Sequence, residues 1–222
     1  MKESLAEFIG TFILVFIGGL AVVVAPLFGV VVPALGHGLI LIGIIYMIGH
    51  ISGAHVNPAV TVGLLVGGKV NVTTTIAYMI AQFVGGIAAA LVIVIILPEG
   101  AQEALLGTTD AFNYGQTTGA LTDDYIGSAA LLEFILVFFL VSAVYQAAAY
   151  GKAGNLAAVA IGFTLAGCIL AGGALSVLGL AGLVGLPAVF LLKKRRADDT
   201  VQGAAGISSD GDGPPDVWVP GS

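Results

Sequence analysis

The chain has 222 residues, of which 58% are hydrophobic and only 9% are charged, and its mean hydropathy is +1.08. Soluble domains carry about 25% charged residues, so this composition excludes a soluble globular protein and indicates an integral membrane protein. The formal net charge is −6, and no basic patch interleaved with aromatic residues is present, so nucleic-acid binding has no support in the sequence.

Six apolar runs are candidates for membrane spans, each of which needs roughly 20 apolar residues. They lie at about 5–25, 34–51, 76–97, 126–147, 155–172 and 174–192. The last two are short and nearly touch at "AGGALS" (171–176), so five spans are the alternative. With six spans and a cytoplasmic N-terminus, all seven basic residues lie on the cytoplasmic side, whereas five spans would put "KKRR" (193–196) outside. Charge placement therefore favours six spans with both termini in the cytoplasm.

The rest of the chain is hydrophilic. Residues 98–124 are rich in Thr, Asp, Asn and Gly, which indicates an extracellular loop. The transmembrane domain is expected to occupy residues 1–192, and residues 193–222 a basic cluster followed by a disordered cytoplasmic tail, because this tail has too few apolar residues to fold.

Two segments of the transmembrane domain resemble each other. "LAEFIGTFILVFIG" (5–18) and "LLEFILVFFLVSA" (131–143) both place an acid before Phe and an apolar run, so Glu7 and Glu133 occupy equivalent positions. Three spans per half, about 1–97 and 125–192, would make the second half an inverted repeat of the first. The alternative is chance, since an acid before Phe is common in apolar helices. Carboxylates within a membrane are costly and usually have partners in the bundle interior.

The stretch "SGAHVNPAV" (52–60) interrupts the apolar pattern after the second run. Asn is a preferred N-cap and Pro a preferred first helical residue, so a helix is expected from Pro58 to about Val66, before Gly67. Such a helix is about 14 Å long, half a bilayer. It predicts a re-entrant half-helix whose positive N-terminal end at the midplane disfavours cations and protons. A cytoplasmic loop with a capped surface helix is the alternative.

The segment "SGAHVNPAVT" resembles the first Asn-Pro-Ala box of the major intrinsic protein (aquaporin) family, and "AEFIGTF", "AQFVGG" (81–86) and "IGFTLAGCILAGGAL" (161–175) agree with it. The resemblance covers residues 1 to about 175. It implies an all-α membrane fold, a right-handed inverted-repeat bundle of six transmembrane helices. It also implies a homotetramer in the lipid bilayer, with one pore per subunit for water or small neutral solutes.

The resemblance also implies roles for residues of the box and for two buried acids. Asn57, Pro58 and Ala59 match the first box, and His55 is expected to contribute to the pore through its backbone carbonyl. Glu7 and Glu133 match acids that hydrogen-bond the re-entrant backbone, as buried supports rather than catalysts.

A selectivity filter is implied at His37, 20 positions before Asn57, and at Ile169 in "ILAGGA". This pair is similar to the vacuolar-membrane branch of the family, in which such a filter suits water and sometimes ammonia or urea. The alternative for His37 is a helix-end histidine that hydrogen-bonds the backbone.

The chain departs from the family pattern in its second half. Asn57 is the only Asn followed by Pro, and no Arg precedes Arg195. The second Asn-Pro-Ala box and the filter Arg are therefore missing after "AGGAL", which weakens the expected barrier to protons. Two hypotheses follow: a passive channel for water and possibly glycerol, ammonia or urea, or a non-conducting structural or regulatory subunit or pseudogene product.

Other classes have less support. A secondary transporter would need ionisable groups to couple ions, and Glu7 and Glu133 already have a structural explanation. No nucleophile–base pair or metal-ligand set occurs, so no enzymatic activity, cofactor or metal is expected. We expect a multi-pass protein of the plasma membrane.

Overall fold

The computed structural model describes residues 1–98, 101, 104, 121, 125–173 and 175 of the chain. Its α-helices with defined ends are α1 (Lys2–Val23), α2 (Ala25–Phe28), α3 (Val31–Ser52), α4 (Pro58–Val66), α5 (Val72–Ile96), α6 (Ile126–Val144) and α7 (Ala157–Gly172). A π-helical turn, Tyr145–Ala149, continues α6, and a 3-10 turn, Gly154–Leu156, leads into α7.

Among the described residues, five helical segments are long and apolar enough to cross a membrane. They are Lys2–Val23, Val31–Ser52, Val72–Ile96, Ile126–Ala149 and Gly154–Gly172. These segments confirm the first five predicted spans, of which the first three begin three or four residues earlier than expected. The predicted sixth span at 174–192 lies outside the described residues apart from residue 175. The tail at 193–222, and the loop at 98–124 apart from residues 98, 101, 104 and 121, also lie outside them.

Glycines allow the spans to approach each other closely. A Cβ atom placed on Gly38 of α3 would lie 2.7 Å from the carbonyl oxygen of Gly162 on α7, and one on Gly162 would lie 2.5 Å from that of Gly38. On α5, a Cβ atom at Gly85 would lie 2.5 Å from the carbonyl oxygen of Phe8 on α1. Backbones in such contact need small residues, which is a common basis of helix association in membranes.

Apolar side chains cover the outer surface of the bundle as well as its core. Large apolar side chains are exposed on its helices, for example Ile80 and Ile95 on α5 and Phe134 on α6. A bilayer provides the apolar environment that these side chains require. The core itself is formed by α1, α3, α4, α6 and α7.

The short helix α4 is the predicted half-helix. It has nine residues, so it is about 14 Å long and cannot cross a bilayer. It begins at Pro58 and ends at Val66, as the Asn-Pro sequence and the following glycines predicted. It packs against α5 and α6, with Val60, Thr61 and Leu64 buried. These contacts favour the re-entrant interpretation over a surface helix.

Candidate functional site

Five residues, Gly53 to Asn57, connect α3 to α4 in an irregular conformation. Gly53 has φ +88°, and two residues with side chains also have positive φ, Ala54 at +50° and Val56 at +39°. Each such residue costs about 1–3 kcal/mol, and the position is least favourable for a β-branched side chain. Asn57 then returns to an extended conformation, and its Oδ1 accepts a hydrogen bond of 2.8 Å from the backbone N–H of Ala59. The strained connector therefore needs strong partners elsewhere.

Glu7 of α1 supplies these partners. Its carboxyl group is fully buried, and each of its oxygens accepts two hydrogen bonds. Oε1 accepts from Ser52 Oγ at 2.6 Å and from the backbone N–H of His55 at 3.0 Å. Oε2 accepts from the backbone N–H of Val56 at 2.7 Å and from Gln82 Nε2 of α5 at 2.8 Å. One carboxyl group thus joins α1 and α5 to the connector.

A second junction forms at Thr61, one turn into α4. Its hydroxyl donates to the carbonyl oxygen of Asn57 at 3.0 Å and accepts from Gln82 Nε2 at 3.0 Å. The same oxygen lies 3.2 Å from His55 Nδ1. With the hydroxyl hydrogen on the carbonyl oxygen of Asn57, this contact requires the His55 tautomer that carries its hydrogen on Nδ1; with that hydrogen turned toward the ring, Nδ1 accepts. This arrangement fixes the ring of His55 relative to the half-helix.

The connector forms one wall of a cavity of about 50 Å³, which all of its residues from 53 to 57 line. The opposite wall is apolar and includes Leu14, Leu41, Leu140 and Leu165. A water molecule needs about 10–15 Å³ of such space, so the cavity holds a few of them. None of the hydrogen bonds printed between described residues uses the carbonyl oxygens of residues 53 to 56.

A larger cavity of about 600 Å³ continues from the small one. The two share five lining residues, Ile45, Gly53, His55, Val144 and Ala148. Because they share lining residues, the two cavities lie next to each other between the end of α4 and the connector. His55 stands at the junction.

The wide end of these two cavities is held by polar contacts. Tyr145 OH donates to the carbonyl oxygen of Gly63 at 3.0 Å, which ties α4 to the end of α6. Lys69 Nζ lies 4.7 Å from the centre of the Tyr150 ring, a cation–π geometry. The half-helix is therefore fixed at its C-terminal end as well as at its N-terminal end.

His37 and Ile169 lie outside the linings of both cavities. The His37 side chain is only 4% exposed, and its Nδ1 lies 2.7 Å from the carbonyl oxygen of Pro33, one turn earlier on α3. Its ring packs against Gly18 of α1. Hydrogen bonding to the backbone agrees with the alternative interpretation of this histidine, and the filter assignment stays a prediction.

Glu133 is buried on α6, with 7% of its side chain exposed. Its support of a second re-entrant segment stays a prediction, because the residues that would carry that segment lie outside the described ones. Within the part of the chain that the structure describes, no group of three or more His, Cys, Asp or Glu side chains could hold a metal ion.

The sequence profile of the family described as Major intrinsic protein matches residues 1–196 of this chain. The chain belongs to this family. The match confirms the resemblance that the Asn-Pro-Ala box indicated, and with it a multi-pass membrane protein.

Named relatives of this major intrinsic protein come from plants, bacteria and animals. A "Probable aquaporin TIP-type" of Medicago truncatula is 37% identical over 186 residues, which cover 78% of this chain and 69% of the relative. "Aquaporin Z" of Photorhabdus laumondii is 36% identical, with 74% and 73% covered, and "Aquaporin-8" of Mus musculus is 36% identical, with 79% and 66% covered. The structure of the aquaglyceroporin from Plasmodium falciparum superimposes with a TM-score of 0.68 at 22% identity, covering 86% of this chain and 80% of that one. That likeness shows the shared fold.

The sequence alone did not identify several supports of the connector in this major intrinsic protein. Gln82, fully buried on α5, bonds both Glu7 and Thr61, and Tyr78 donates from its hydroxyl to the carbonyl oxygen of Ser52 at 2.9 Å. A signal was present, because a Gln within an apolar span requires a partner. It lies in "AQFVGG" (81–86), which supported the family resemblance but carried no predicted role for Gln82.

Proposed function

We propose that this major intrinsic protein is a passive channel for water and small neutral solutes. The observation that carries the proposal is the pair of neighbouring cavities, which share His55 and reach the capped end of α4. On one side they offer the carbonyl groups of the connector, and on the other an apolar wall. A small neutral solute can donate hydrogen bonds to such acceptors. The apolar wall has no group that would bind the solute and slow its passage.

The lining also indicates which solutes are disfavoured. No Asp, Glu, Lys or Arg is among the residues that line the small cavity in the described part of the chain. An ion would lose its hydration there without a charged partner, at a high free-energy cost. The positive N-terminal end of α4 disfavours cations further. Because the sequence contains one Asn-Pro-Ala box instead of two, the barrier to protons is expected to be weaker than in a family member with both boxes.

The test is the osmotic permeability of proteoliposomes measured by stopped-flow light scattering. Ala148 lines both cavities, so Ala148→Trp should fill their junction and reduce permeability to that of empty vesicles. The matched control is Ala130→Trp, because Ala130 is exposed on α6 and lines neither cavity. Wild-type vesicles no more permeable than empty ones would favour the rival function, a non-conducting structural or regulatory subunit. If the Ala148→Trp channel keeps full permeability, solutes do not pass through the junction of the two cavities.

The solute, the membrane and the assembly are further parts of the proposal. Glycerol, urea and ammonia are the neutral solutes to compare with water in the same vesicles, and an enclosed pH-sensitive dye reports protons. We propose a plasma-membrane location with cytoplasmic termini. The alternative is an internal membrane, which the vacuolar-type pair His37 and Ile169 supports. The location of a fluorescent fusion protein in cells distinguishes the two membranes. A homotetramer is expected from the family resemblance, and native mass spectrometry measures it.

A further inference from the structure

The connection between α1 and α3 carries no polar side chain. It runs from Val24 to Val30 and contains the short helix α2. The apolar stretch extends beyond it in both directions, since residues 12–36 include no residue with a polar side chain. The other helix connections that the structure describes without gaps contain polar residues, among them His55, Lys69 and Lys152. Loops that face water are normally built from polar residues, so this connection is unlike the others.

The connection is exposed on the surface of the protein. Leu27 and Phe28 of α2 are 47% and 66% exposed, and Val31, the first residue of α3, is 51% exposed. Pro26 and Gly29 are exposed as well. In water these residues would form an apolar patch at the tip of a helix pair, and exposed apolar patches mark sites of interaction. An apolar partner is therefore expected at this place.

The backbone of the connection bonds within its own chain. N–H groups along the connection and the first turn of α3 donate to carbonyl oxygens three or four residues earlier, at 2.7–3.4 Å: those of Val24, Leu27, Gly29, Val32 and Ala34. Pro26 and Pro33 have no N–H group to satisfy. A segment in water can leave its N–H groups to the solvent, whereas a segment in lipid must satisfy them internally. This pattern of bonds favours lipid over water around the connection.

The length of α1 places the connection at the edge of the hydrocarbon core. With 22 residues α1 is about 33 Å long, close to the roughly 30 Å of the core. It begins at Lys2, whose charge keeps that end near water, so Val23 lies near the opposite boundary. Ile17 on α1 and Leu35 on α3, which flank the connection, are also exposed. The lipid-facing surface of the two spans thus continues into the connection.

We propose that the connection, together with Val31, is a lipid-binding surface that inserts Leu27 and Phe28 among the acyl chains just below the headgroups. The partner is the phospholipid bilayer, on the side opposite the N-terminal end of α1. Because the connection joins α1 to α3, its contact with lipid fixes the depth of this helix pair in the membrane. The proposal holds whether or not the protein conducts solutes.

Tryptophan fluorescence in proteoliposomes tests this proposal. Trp218 is the only Trp of the chain, so Trp218→Phe removes the background and Phe28→Trp then places a single reporter in the connection. The matched controls, in the same background, are Phe138→Trp near the middle of the fourth span and Tyr150→Trp in the connection before α7, both at exposed aromatic residues. Iodide quenches a Trp in water, whereas phosphatidylcholine with brominated acyl chains quenches a Trp in lipid.

Iodide should quench the Phe28→Trp reporter several-fold less than the Tyr150→Trp reporter. Lipid brominated near the headgroup should quench Phe28→Trp more than lipid brominated near the chain ends, and Phe138→Trp should show the reverse order. Equal iodide quenching in Phe28→Trp and Tyr150→Trp would overturn the proposal, because the connection would then lie in water. Weak quenching by both iodide and brominated lipid would also overturn it, since protein, such as a second copy of the chain, would cover the patch. Should Phe28→Trp reach the vesicles poorly, Leu27→Trp provides the same test on the same short helix.

Discussion

Replacing Glu7 by Gln should release the connector between α3 and α4. The change keeps the size of the side chain but turns one acceptor oxygen into an NH₂ group. All four neighbours of the carboxyl group donate hydrogen bonds to it. Turned toward Val56 and Gln82, the new NH₂ group would face two N–H donors; turned toward Ser52 and His55, it would face only the His55 N–H, because the Ser52 hydroxyl can turn to accept from it.

The magnitude follows from the contacts. Hydrogen bonds to a charged group contribute about 1.5–3 kcal/mol each and neutral ones about 0.5–1.5 kcal/mol, so Glu7→Gln loses one bond and weakens the other three. The positive φ angles of Ala54 and Val56 together cost roughly 2–6 kcal/mol. In the wild-type protein four bonds to a charged group exceed that strain, whereas the three neutral bonds left in Glu7→Gln, about 1.5–4.5 kcal/mol in total, only match it. The connector should then relax toward ordinary backbone angles.

Hydrogen exchange of the amides of His55 and Val56, followed in detergent micelles, measures this release. A loss of about 3 kcal/mol corresponds to roughly hundredfold faster exchange, since every 1.4 kcal/mol is tenfold. The control is Glu3→Gln, because Glu3 lies one turn earlier on α1 and its side chain is 54% exposed. If exchange at both amides in Glu7→Gln stays within threefold of that in Glu3→Gln, the carboxyl group does not hold the connector.

Two further substitutions test the cap and the filter. Asn57→Ala removes the side-chain acceptor of the Ala59 amide, so it should destabilise the start of α4 by about 1 kcal/mol and speed exchange of that amide several-fold; unchanged exchange would show that the cap is not needed. His37→Phe should narrow the range of solutes in the proteoliposome assay, with glycerol and urea reduced more than water, and an unchanged profile would reject His37 as a filter residue.

The sequence was most informative where a local rule decides the structure. The limits of α4 follow from the Asn-Pro cap at one end and Gly67 at the other, so both were predicted to the residue. The spans were also recognisable from their apolar composition, because the bilayer imposes length and polarity on each of them. Their ends were missed by a few residues, since Ser, Thr and Lys extend α1 and α5 beyond the apolar runs.

Features that depend on packing between helices were harder to predict from the sequence. The resemblance implied that Glu7 supports the re-entrant backbone, but its bonds to Ser52 and Gln82 depend on how α1, α3 and α5 lie together. The same holds for His37, whose ring lies against Gly18 on a different helix. A sequence motif identifies the residue at a position, but the rotamer of its side chain depends on neighbours that are distant in the sequence.

The bonds of Glu7 also bear on how the protein enters the membrane. Its partner Ser52 lies 45 residues later in the chain, and its partner Gln82 lies 75 residues later. A carboxyl group in α1 is costly in lipid as long as these donors have not been synthesised. Three of its four donors are present once residues 52 to 56 have been added, and Gln82 of α5 supplies the fourth. The partners of Glu7 are therefore complete only when α5 arrives, and a substitution at Gln82 would leave incomplete the bonding of a helix that was finished well before residue 82 was added.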